Sequence, residues 1–131
     1  MSPDEISKFI ITSAMKVHTA IGPGMLESIY ENCLAYELRI AGFKVEQQVA
    51  VPLKYGDMYL EAAFRLDLLV NSLVVVEIKS VETILPIHKA QIISYLKLSD
   101  KSLGLLINFN VPHLRHGIKR FVHGSKWKDP S

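Results

Sequence analysis

The chain has 131 residues, 49% hydrophobic and 21% charged, with a formal net charge of +2. That length suits one domain with a substantial core, and the composition excludes a disordered chain. One cysteine excludes an internal disulfide, no apolar run approaches the roughly 18 residues of a membrane span, and MSPDEISKF lacks the apolar stretch of a signal peptide. A cytoplasmic protein with no membrane partner is the expectation.

Ile6, Phe9, Ile10, Ser13, Ala14, Val17 and Ile21 recur at helical spacing and predict a first helix. Ser2, Pro3 and Glu5 supply its cap, first and third positions. Ile21-Gly22-Pro23-Gly24 breaks the chain. A second helix is predicted over residues 25–41, with the stripe Leu26, Ile29, Tyr30, Cys33, Leu34 and Leu38, and with Gly42 closing it. Cys33 reads as core, and His18 as a packing or solvent-edge histidine.

From Phe43 the pattern turns to strand. Val45, Gln47, Val49 and Val51 alternate, and Pro52 limits this strand to an edge or an end. A turn at Tyr55-Gly56-Asp57 leads to strands over residues 58–70 and 73–81. Val74-Val75-Val76 lies in a run apolar at every position, as burial on both faces demands. Pro86 opens a third helix to about Ser99, and residues 103–109 form another buried strand. Residues 118–122 read as a last strand or short helix, and 123–131 as a flexible tail. The order ααβββαβ predicts a single α/β domain (α+β-like), a mixed sheet flanked by helices, with its core over about residues 5–122. The late basic residues Arg115, Lys119, Arg120, Lys126 and Lys128 fit either a solvated tail or phosphate contacts.

Asp67, Glu77 and Lys79 sit inside these apolar runs. Glu77 and Lys79 are two apart, so they share a face of their strand. Buried charges need partners. Lys79 can lie in water at a frayed end, pair with Glu77, or pair with Asp67 across strands. Alternatively, Asp67 and Glu77 converge and favour a hard divalent cation, Mg²⁺ or Mn²⁺, with Lys79 stabilising charge on a phosphoryl oxygen. That arrangement sets a condition on the hairpin. A two-residue turn at Asn71-Ser72 would oppose Asp67 to Val76 and turn it away from Glu77. A shared site therefore requires a three-residue loop over residues 71–73, or a β-bulge.

Asp67 followed by Glu77-Ile78-Lys79, in an αβββαβ order, resembles the PD-(D/E)XK nuclease superfamily. Gly24-Met25-Leu26-Glu27-Ser28-Ile29-Tyr30 is similar to the signature of its bacterial GxxExxY branch. HTAIGPGMLESIYENCLAYEL, RLDLLV, VVVEIKS, HKAQIISYLK and GLLINF extend the likeness over residues 18–109. The resemblance implies a restriction-endonuclease-like core with an extra N-terminal helix, and a divalent-metal-dependent nuclease acting on nucleic acid, by analogy DNA. It implies Asp67 and Glu77 as metal ligands, the Ile78 carbonyl as a third, Lys79 as the catalytic lysine and Glu27 as a further carboxylate. Gln91 and Tyr95 match a Q-x-x-x-Y element near the site of related nucleases. His88 shares their helical stripe, and Tyr30 closes the signature. An ordinary polar helix face explains that stripe equally well. Glu27 in the first turn of its helix also suits the helix dipole, and Glu31 is one turn further on. The alternatives are a non-cleaving nucleic-acid-binding module and a protein-interaction module, either as a homodimer or with a protein partner.

Overall fold

A computed structural model describes residues 1–130. The helices are α1 (Pro3–Ile21), α2 (Glu27–Ile40) and α3 (Pro86–Ser99). The strands are β1 (Val45–Tyr55), β2 (Met58–Val70), β3 (Val74–Lys79), β4 (Leu103–Asn108) and β5 (Ile118–Val122). They form one five-stranded sheet in the order β1-β2-β3-β4-β5, antiparallel except for the parallel pair β3/β4, which α3 connects. The mixed sheet flanked by helices agrees with the predicted architecture, and the last apolar stretch is a strand. Among the described residues, no helix is long and apolar enough to cross a membrane.

The start of α1 follows from its first residues. Ser2 Oγ accepts from Glu5 N–H and Glu5 Oε1 accepts from Ser2 N–H, a reciprocal capping box. The bond to Ser2 holds the Glu5 carboxyl below its usual pKa. α2 begins two residues later than expected, because Leu26 is extended and offers no capping side chain.

Two cores of unequal size lie on the two faces of the sheet. Ile6, Ile10, Ala14 and Val17 of α1 and Tyr30, Leu34 and Leu38 of α2 cover Leu68, Val70, Val74, Val76, Ile78, Leu105 and Ile107. On the other face, Leu96 of α3 packs with Val51, Leu66, Leu69 and Val75. Gly104 lets α3 approach: a Cβ there would lie 3.1 Å from both Ile92 and Leu96. Strand alternation puts Glu77 and Lys79 on the face of Val75, the one with the smaller core.

β1 continues through Pro52 to Tyr55 because it is an edge strand, and its register with β2 shifts between Val51 and Leu53, at the proline. The β2–β3 loop contains Asn71, Ser72 and Leu73, so Val70 opposes Val74 and Leu68 opposes Val76. Counting on from that register sets Asp67 opposite Glu77. The three-residue loop is the device that a shared site required. Asn71 and Ser72 make the turn at φ values of 51° and 57°. At the far end, Trp127 packs against the larger core from a 3₁₀ turn at Lys126–Lys128, with the Arg120 guanidinium 4.9 Å from its ring centre.

Candidate active site

The β2–β3 ladder stops at Leu68↔Val76, and side chains take over from it. Asp67 N–H donates to Glu77 Oε2 at 2.9 Å, and Ile78 N–H donates to Asp67 Oδ2 at 2.8 Å. Each carboxylate is thus fixed by the backbone of the opposite strand. The remaining oxygens, Asp67 Oδ1 and Glu77 Oε1, take no part in those bonds. In a strand, the N–H and C=O of one residue point to the same side. The Ile78 carbonyl therefore faces the Asp67 side, as its N–H does.

Electrostatics mark the pair as strained in its ionised form. Burial pushes the Glu77 carboxyl up to about 8, and the negative charge of Asp67 adds to the rise. Burial also raises Asp67, with a further push from Glu31. Lys79 is near enough to favour both ionised forms, but its effect is outweighed. No ion pair joins it to either carboxylate among the described residues, where the ion pairs are Lys16–Glu37, Lys44–Glu46 and Arg120–Asp4. A neutralising Lys79 partner therefore does not explain Asp67 and Glu77.

The other sequence candidates take different places. Glu27 Oε2 accepts from Ser80 N–H at 3.1 Å, and Ser80 Oγ donates to the Met25 carbonyl, so Glu27 clasps the end of β3 just past Lys79. Tyr30 is buried. Its hydroxyl donates to the Gly22 carbonyl and accepts from Met25 N–H, and its ring stacks on Phe109 at 4.4 Å. Tyr95 stacks on Phe64 at 4.4 Å. Its phenol is raised by burial and then by the charges of Glu77 and Asp67, which places it within electrostatic reach of the pair. His88 folds back on its own helix, Nδ1 accepting from Leu85 N–H, and Gln91 is exposed.

Two residues outside the predicted set complete the surroundings. Glu31 is the helix-borne carboxylate whose charge acts on Asp67 and Glu77. Gln48 Nε2 donates to Glu31 Oε1 at 2.6 Å and lies 3.3 Å from Asp67 Oδ1. The i, i+4 spacing to Glu27 was the only sequence signal for Glu31, and the adjacent polar pair Gln47-Gln48 the only one for Gln48.

The residues that could hold a metal are Asp67 and Glu77, through Oδ1 and Oε1, with the Ile78 carbonyl beside them: two carboxylates and one neutral oxygen. That chemistry fits Mg²⁺ or Mn²⁺. Among the described residues, no three His, Cys, Asp or Glu side chains gather closely enough to hold an ion by themselves.

Comparison with protein families identifies the superfamily. The model of the PD-(D/E)XK nuclease superfamily matches residues 4–121, nearly the whole chain, and the chain belongs to that superfamily. No curated protein and no solved structure matches it significantly.

Proposed function

We propose that this member of the superfamily hydrolyses phosphodiester bonds in nucleic acid, with DNA as its substrate and Mg²⁺ or Mn²⁺ as its cofactor. One observation carries the reading. Two carboxylates face each other past the last ladder pair of β2 and β3, one with its pKa near 8, and among the described residues no Lys or Arg forms an ion pair with them. A divalent ion bound there would supply an activated water and offset charge on the phosphoryl oxygens. Asp67 and Glu77 would hold it, with the Ile78 carbonyl beside them. Lys79, on the face of Glu77, orients the attacking water and stabilises charge developing on a phosphoryl oxygen. Tyr95 lies within reach of the charges of the pair. Glu27 and Tyr30 act at one remove: they tie the Gly22–Leu26 segment to Ser80 and so fix the strand end that carries Lys79.

The test is incubation of purified protein with branched, linear and single-stranded DNA and with RNA, with and without Mn²⁺. Metal-dependent cleavage that disappears in Lys79→Ala supports the proposal. Binding without cleavage on every substrate supports a second reading, a non-cleaving nucleic-acid-binding module. One observation favours that alternative: Asp67 Oδ2 and Glu77 Oε2 replace ladder hydrogen bonds, a structural use that needs no chemistry.

A further inference from the structure

Gln48 lies within β1, yet its φ is +52°, a left-handed conformation that side-chain-bearing residues rarely adopt. The register around it is unbroken, since Gln47 opposes Leu68 and Val49 opposes Leu66. The left-handed residue has a specific effect. Consecutive side chains of a regular strand point to opposite faces. Here Gln47 Nε2 donates to Glu31 Oε2 at 3.0 Å and Gln48 Nε2 donates to Glu31 Oε1 at 2.6 Å, so neighbours in sequence grip the same carboxylate. The turn of the backbone at Gln48 brings its amide round to Glu31 and Asp67.

The amide nitrogen fills a position between two anions. Its neighbours, Glu31 Oε1 and Asp67 Oδ1, accept hydrogen bonds when ionised and cannot donate, so the donor end of the amide must face them. Asp67 Oδ2 is already committed to Ile78 N–H. Asp67 Oδ1 is therefore the oxygen left for an ion, and the Gln48 amide stands beside it. Half a turn about the Cγ–Cδ bond exchanges nitrogen for oxygen at that place; Glu31 Oε1, 2.6 Å away, then loses its donor and draws back, while Gln47 keeps hold of Glu31 Oε2. The side chain then offers a neutral carbonyl-type oxygen, a donor that Mg²⁺ and Mn²⁺ accept.

We propose that Gln48 is a reversible ligand of this site: its NH₂ bridges Glu31 and Asp67 in the ion-free protein, and its Oε1 ligates a divalent ion held at Asp67. This rests on the metal-dependent reading above. It supplies a neutral side-chain oxygen to a site where three carboxylates, imidazoles or thiolates do not converge among the described residues.

Calorimetric titration of Mn²⁺ into chelator-treated protein tests it, with wild type, Gln48→Gly, Gln48→Glu and Glu77→Gln compared and each melted without metal. Glycine suits the positive φ, so Gln48→Gly should fold, and it should bind Mn²⁺ about tenfold or more weakly. Gln48→Glu keeps an oxygen at the same reach. It should bind Mn²⁺ at least as tightly as wild type, while its metal-free melting temperature falls because a third carboxylate joins Glu31 and Asp67. If Gln48→Gly binds as tightly as wild type while Glu77→Gln loses binding, the metal reading stands and the proposal for Gln48 fails. If Gln48→Gly does not fold, Gln48→Glu decides alone, and weaker binding than wild type overturns the proposal. A wild type that binds no Mn²⁺ rejects both readings together.

Discussion

Asp67 and Glu77 each hold the other's strand: Asp67 N–H bonds to Glu77 Oε2, and the N–H of Ile78, next to Glu77, bonds to Asp67 Oδ2. The exchange continues the β2–β3 connection past the last ladder pair. It also fixes two carboxylates side by side in a partly dry gap. Backbone N–H donors lower both pKa values, yet both remain raised, because burial outweighs them.

The pH dependence of stability follows in sign. A carboxyl whose folded pKa lies above its unfolded value binds more protons in the native state between the two. For Glu77 that window runs from 4.5 to about 8. Its contribution is fully present below the window and is lost as pH rises through it, and Asp67 adds the same sign at the acid end. Chelator-treated wild type should therefore lose melting temperature relative to Glu77→Gln as pH goes from 5 to 9. A wild-type-minus-variant difference that stays flat or rises over that range would contradict the folded pKa of Glu77.

A divalent ion that binds only the folded state should stabilise it by roughly 2.7 kcal/mol at about one hundred times its Kd. In a domain of this size each kcal/mol moves the melting temperature by roughly 3–6 °C. Mn²⁺ should produce that rise in wild type and little of it in Asp67→Asn. The metal-free variant should be as stable as wild type or more so, because the carboxylate repulsion is gone. Binding should also release close to one proton at pH 6.5, where Glu77 is still protonated. Titrations in two buffers of different ionisation enthalpy measure that release. A wild type that melts at the same temperature with chelator and with Mn²⁺ would sink the metal site.

Much of this was legible in the sequence, for identifiable reasons. β3 and β4 are apolar at nearly every position because helices cover both faces of the sheet, and the strand-interior charges stood out against that background. Parity alone required one extra residue between Asp67 and Glu77, in the loop or as a β-bulge, because side chains alternate with period two; the structure places it in the loop, at Leu73. The choice between Glu27 and Glu31 was not legible. They lie one turn apart on α2, and which of them reaches Asp67 depends on how α2 crosses the sheet, a tertiary fact. Nor was Gln48: glutamine has no preference for positive φ, so nothing local announces a left-handed residue inside a strand.

Glu27 provides a direct discrimination between anchor and ligand. Its observed bond is from Ser80 N–H, at the exposed end of β3. The amide oxygen of Glu27→Gln can still accept that bond, whereas Glu27→Ala cannot. Glu27→Gln should keep wild-type stability and Mn²⁺ affinity, and Glu27→Ala should lose about 0.5–1.5 kcal/mol of stability. Parallel melts and calorimetry decide. A tenfold loss of Mn²⁺ affinity in Glu27→Gln would make Glu27 a ligand, as the family resemblance implies.

The segment after Lys79 has a second anchor, and it depends on a glycine. Asn108 is buried at the end of β4, its Oδ1 accepting from Val81 N–H and its Nδ2 donating to the Val81 carbonyl. Asn108 N–H donates in turn to the Gly117 carbonyl at 2.8 Å, which draws the start of β5 against it. A Cβ on Gly117 would lie 2.1 Å from the Asn108 carbonyl oxygen, a backbone atom with no rotamer to yield. Gly117→Ala must therefore move the backbone at Asn108, and the Asn108 side chain carries that movement to Val81. The substitution should cost roughly 1–3 kcal/mol of stability. It should also speed amide exchange at Ser80 and Val81 more than in the centre of β3. Gly124→Ala is the control: its φ of +71° is strained for alanine, but its Cβ meets nothing within 4 Å and it has no line to Val81. Hydrogen exchange on the two variants separates the routes. Equal protection at Ser80 and Val81 in both would mean that Asn108 does not couple β5 to the Lys79 end of β3.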